Sequence, residues 1–225
     1  MGALRREWTG VVVAVAASAA LLAGAAALQD AYRAKRGSPA VDELLYYPSG
    51  VWVRQASLGY ETAAADIAWL RGIQYYGEHR RSDQRYDMIG HVMGIVAELD
   101  PRFEEPYRFG AFVLAQELGQ PERGLELLER GRMANPTSWR LFFETGFLHY
   151  VCTKDLDAAA RYFALASRLP GRPDYVVRFA AWSSQKAGNE GMAVLLWKRV
   201  EASGNKYMQE IARRELARLQ RGEGA

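Results

Sequence analysis

Small and large apolar positions recur along this chain with a step near 34 residues. Gly124/Leu128/Gly131, Ala159/Phe163/Ala166 and Ala193/Trp197/Val200 each set a small residue, a large apolar residue four later, and a second small or short residue three after that. A weaker copy, Ile89/Met93/Val96, precedes them, and the steps between successive sets are 35, 35 and 34 residues. The three clear copies lie in windows 118–136, 153–170 and 187–203, and Pro101, Pro136 and Pro170 close the first three copies. A period of this length predicts helix–turn–helix repeats. A helix approaches its partner closely only where a small side chain permits it. Gly124, Ala159 and Ala193 are therefore expected at contacts, with the large residue one turn on filling the adjoining groove. Each hairpin alone leaves its apolar stripe uncovered, and stacking supplies the cover. Proline cannot continue an internal hydrogen-bond ladder, so it ends each second helix. No alternating strand pattern persists. The expected fold is all-α, with about four stacked hairpins over residues 61–221. The last helix, 205–221, interleaves Met208, Ile211, Leu216 and Leu219 with charges and suits a polar cap.

These windows resemble tetratricopeptide repeats over roughly residues 63–203. The first helix of each such repeat usually carries glycine at its eighth position; Gly72, Gly110 and Gly146 fit, with Ala181 in the last copy. The second helices match best. The first helices match less closely, most lack the family's tryptophan at position four, and the loop at 78–85 departs furthest. The resemblance implies a solenoid whose first helices line a concave groove. In that register Trp69, Ile73 and Tyr76 face inward, followed by Tyr107, Ala111 and Leu114, then Phe143, Phe147 and Tyr150, then Arg178, Trp182 and Lys186. This aromatic strip with a basic end suits the capture of another protein or peptide, because aromatic side chains and arginine dominate interface hot spots. The competing reading packs about half of these residues between helices. The lysine, asparagine and arginine arrangement with which some family members grip a terminal carboxylate is missing.

Residues 10–28 form an uncharged, alanine-rich run of 19 residues. At 1.5 Å per residue it reaches about 29 Å, enough to cross a hydrocarbon core. Arg5 and Arg6 precede it and Arg33, Lys35 and Arg36 follow it. The expectation is an N-terminal signal-anchor over residues 1–30, amino terminus inside, with the repeats on the outer side of a bacterial cytoplasmic (inner) membrane. A cleaved signal ending near Ala25, Ala26 and Ala27, or an ordinary helix, are the alternatives. Residues 31–60 read as a linker (31–43) and an extended aromatic arm (44–60) covering the first hairpin. The alternative seats Tyr46, Tyr47 and Trp52 at the membrane surface. Leu45 and the stretch ASLGYETAAADIAWLRGIQYYG at 56–77 also resemble the entry region of bacterial membrane-anchored repeat proteins.

Charge narrows the function. Five basic and two acidic residues before Gly37 supply the whole net charge of +3, and the remainder balances 24 against 24. A neutral repeat domain disfavours nucleic acid, which calls for a basic face. His79, His91 and His149 lack metal-ligand spacing, and no phosphate loop or nucleophile elbow occurs. No cofactor, metal or catalytic set is expected, so the chain reads as a non-enzyme. The lone Cys152 reads as a small apolar residue. The leading expectation is a membrane-anchored scaffold or assembly subunit holding another protein in its groove. The alternatives are a periplasmic chaperone-like module presenting an unfolded client, as in cytochrome maturation, and an accessory subunit of a larger membrane complex.

Overall fold

The computed structural model of the protein describes residues 2–33 and 49–223, and in the first stretch the side chains of 15–28, 30 and 31. The chain divides into two compact units, residues 1–46 and 47–225. Every regular element among the described residues is helical.

The first unit holds α1 (Gly2–Arg33). Side chains 15–28 are all exposed, with Val15, Leu21, Leu22 and Leu28 between 63 and 75%. Among the described residues no helix is long and apolar enough to cross a membrane. Residues 10–14 of the apolar run lie outside the described side chains. The linker expected at 31–43 starts later, because residues 31–33 are the last of α1. Residues 34–48, with Tyr46 and Tyr47, lie outside the described residues.

The second unit opens on α2 (Gly50–Ala56), which corrects the expected extended arm over those seven residues. The segment is helical because Val53 has a core to meet: it packs on Ala65, Ala68, Ile95, Val96 and Leu99. Arg54 also donates to the Glu98 carbonyl. Four hairpins follow: α3 (Glu61–Arg81) with α4 (Ile89–Leu99), α5 (Glu104–Phe112) with α6 (Pro121–Ala134), α7 (Trp139–Leu148) with α8 (Leu156–Ala166), and α9 (Asp174–Lys186) with α10 (Glu190–Glu201). The helix α11 (Lys206–Gln220) closes the series, and from α3 onward each helix packs on the next in the chain.

The repeated small and large positions build the interior. Ile89, Met93, Val96, Leu128, Ala159, Phe163, Ala166, Ala193, Trp197 and Val200 are each at most 2% exposed. A Cβ on Gly146 would stand 2.9 Å from the Phe163 ring, and one on Gly131 would stand 2.7 Å from the Tyr107 ring. These glycines therefore admit an aromatic face that alanine would push away. Side-chain caps start the later helices: Ser138, Asp155, Asn189 and Asn205 accept from the backbone N–H three residues on, as polar caps do. Each hairpin reverses through one left-handed residue, namely Gln84, Gly119, Lys154 and Gly188. The first helices of the second and third hairpins finish in π turns, Val113–Glu117 and His149–Thr153.

Candidate functional site

The helix α9 presents Arg178, Phe179 and Trp182 at i, i+1 and i+4, so all three lie on one side of the helix. Opposite them α11 contributes Ile211 and Glu215, and the π turn after α7 contributes Tyr150. Together with Trp197 they line an open cleft of about 400 Å³. That volume lies within the range of ordinary ligand pockets, about 300–1,000 Å³.

Two features order the walls. Tyr150 meets Trp182 edge-on with ring centres 5.2 Å apart, a geometry that the ring quadrupoles favour. Behind them runs a chain of polar contacts. Trp197 Nε1 donates to Gln185 Oε1 at 3.0 Å, Gln185 Nε2 donates to Glu215 at 3.4 Å, and Arg218 donates to Glu215 at 3.5 Å. Gln185 is buried, so its amide fixes Glu215 to one wall and satisfies the indole at the same time. Arg178 differs. Its guanidinium lies 5.7 Å from the Phe179 ring centre, and among the described residues it has no hydrogen-bond or ion-pair acceptor. Arg108 and Arg132, which are also partly covered, hold Glu144 at 2.9 Å and Thr145 at 2.6 Å. The cleft thus offers an aromatic wall, an aliphatic wall and one uncommitted cation.

The structure gathers three of the inward-register residues here, Tyr150, Arg178 and Trp182, seats Phe143 and Phe147 on the same core cluster, and places the others elsewhere. Trp69 and Tyr76 belong to a separate aromatic group around Phe109, with ring centres 5.6 and 5.0 Å from it. Phe143 packs between Phe163 and Phe179, and Phe147 packs on the core beside Phe163 and Trp197. Tyr107 is corrected from groove to core. It is 2% exposed and donates to the carbonyls of Ala97 and Pro101 at 3.3 and 3.2 Å, because Gly131 leaves room for its ring. Ala111 and Leu114 are buried with it. The expected continuous strip is therefore interrupted at the second hairpin. Lys186 is exposed and does not line the cleft. It stands five residues beyond Ala181, whereas Tyr76, Leu114 and Tyr150 stand four beyond their glycines; the residue in step is Gln185. Sequence reasoning missed Phe179, Ile211 and Glu215. The signal for the last two was the apolar and acidic face of a helix read only as a cap.

Cys152 is half-buried in the π turn, and burial pushes its thiol up from the ordinary range. Among the described residues no group of three or more His, Cys, Asp or Glu side chains is placed to hold a metal ion. No family model matches the chain, and no curated protein matches it.

Proposed function

We propose that this chain is a scaffold of the tetratricopeptide kind that holds a segment of another protein in the cleft between α9 and α11. The observation that carries this reading is the convergence of Tyr150, Trp182 and an uncommitted Arg178 on one cleft. Aromatic side chains give large contact area for little immobilised freedom, and a half-covered guanidinium gains most from an acceptor brought by a partner. The role assigned is binding, with no chemistry. The apolar run at 10–28 supports a tether in a bacterial cytoplasmic membrane, with the hairpins on its outer side.

The test uses full-length protein in mild detergent. A Tyr150→Ala/Trp182→Ala variant should keep its helicity, since neither side chain is fully buried. It should lose partner affinity by about 2 kcal/mol or more. Wild-type partner recovery by a folded variant would place binding elsewhere.

A further inference from the structure

The first hairpin leaves one helical face uncovered. Ile67 and Leu70 of α3 are 58 and 60% exposed. They lie on the side opposite Ala65, Ala68, Gly72 and Tyr75, which are buried. The residue five before the small position is covered in the third and fourth hairpins, where Leu141 and Val176, in step with Ile67, are both 0% exposed, while in the second it is the exposed Glu105. Hairpin stacking covers this face in the third and fourth hairpins, and among the described residues no hairpin precedes α3 to do so.

The face has a coiled-coil pattern. Ala63, Ile67, Leu70, Gln74 and Gly77 of α3 follow one another in steps of four and three residues. That spacing defines a and d positions, with Ile67 and Gln74 at a and Ala63, Leu70 and Gly77 at d. Within a parallel pair, an isoleucine at a beside a leucine at d, as at Ile67 and Leu70, favours two strands. The flanking residues agree. Asp66 takes position g and Arg71 the following e, the pair that meets between chains when two such helices run parallel. Both are exposed, and Asp66 has no partner among the described residues. Arg71 already holds an interaction within its own chain, and its guanidinium, with five donors, has donors left for a facing carboxylate. In an antiparallel pair, g would face g and e would face e, and this complementarity would vanish. Head-to-tail stacking is disfavoured, because α11 turns Glu210, Arg213, Arg214 and Arg218 outward. An apolar face meeting that surface would strip charges of water.

We propose that α3 pairs in parallel with α3 of a second copy of this chain, with Ile67 and Leu70 at the centre and Asp66 of each copy facing Arg71 of the other. The pairing stands on the face alone. Its parallel sense also suits two chains held in one membrane by the amino-terminal tether proposed above, and that fit rests on the tether. The paired stretch is short, so dissociation in the micromolar range is expected.

The test is cross-linking and mass measurement on the full chain in mild detergent. In a Cys152→Ser background, Leu70→Cys should form a disulfide between identical chains on mild oxidation, whereas Tyr207→Cys, exposed on α11, should not. Asp66→Arg and Arg71→Asp should each lower the dimer fraction several-fold at tens of micromolar protein, and the two together should restore it. The exposed positions make misfolding a minor concern, and circular dichroism checks it. Monomers at that concentration, a double swap that fails to restore pairing, or equal cross-linking at Tyr207 would each overturn the proposal. Cross-linking between Ile67→Cys and Leu70→Cys chains without Leu70 self-linking would also overturn it. A protein that cross-links at Leu70 yet washes off membranes supports the pairing and counts against the tether only.

Discussion

A Cβ on Gly124 would stand 2.9 Å from the Ala111 carbonyl oxygen and 3.1 Å from Leu148. The oxygen belongs to a helix backbone and has nowhere to go, so α5 and α6 would have to part. Gly124→Ala is expected to destabilise the protein by about 1–3 kcal/mol, read as a lower Tm. An unchanged Tm would mean that the hairpin is more loosely packed than described. His149 supplies a second residue-scale test. Its ring stacks on Tyr162 with centres 5.5 Å apart, and burial holds the imidazole below its ordinary range. The folded chain therefore binds this proton more weakly than the unfolded chain does. The stabilisation is present above the unfolded value of about 6.5 and is lost as pH falls below it, down to the lower folded value. His149→Gln should flatten the stability profile on the acid side of that value. A variant as acid-sensitive as wild type would assign the slope to other groups.

At the scale of elements, the hairpins were legible because their determinants are local and repeated. Gly124, Ala159 and Ala193 recur at near-constant spacing, and every one of them is buried at a helix contact. Other features depend on partners distant in sequence. Nothing in GVWVRQA announces a helix until Val53 meets the core of the first hairpin. The π turns at Val113–Glu117 and His149–Thr153 answer to how each first helix meets the turn that follows, and no residue type marks them. The cleft was half legible. A register counted from the small position found Tyr150, Arg178 and Trp182, yet it also turned Tyr107 inward, because counting cannot see that Gly131 opens a pocket for that ring. Ile211 and Glu215 were known as parts of a cap, and only packing shows that the same helix forms a wall. The helix α1 carries the prediction at this scale. If it tethers the chain, the full-length protein should resist alkaline carbonate extraction, and deletion of residues 2–30 should release it. Release of the intact chain by carbonate would contradict the tether.

At the scale of the whole molecule, the series of packed hairpins carries a cleft near its end. The core beneath that cleft runs through Phe163, Ala193, Trp197 and Ala212, all at most 2% exposed, so the walls rest on a buried cluster. A partner segment seated there touches Tyr150 and Ile211 from opposite sides. The most direct measurement places a photo-cross-linking amino acid at Tyr150, at Ile211 or at Met133, which is 78% exposed and lines no part of the cleft. Illumination of cells carrying each variant should give one and the same adduct from Tyr150 and Ile211 and none from Met133. Trp182→Ala should abolish the adduct in protein that remains helical. Equal adducts from Met133, or no adduct from either cleft position, would contradict the assignment of this cleft as the binding site.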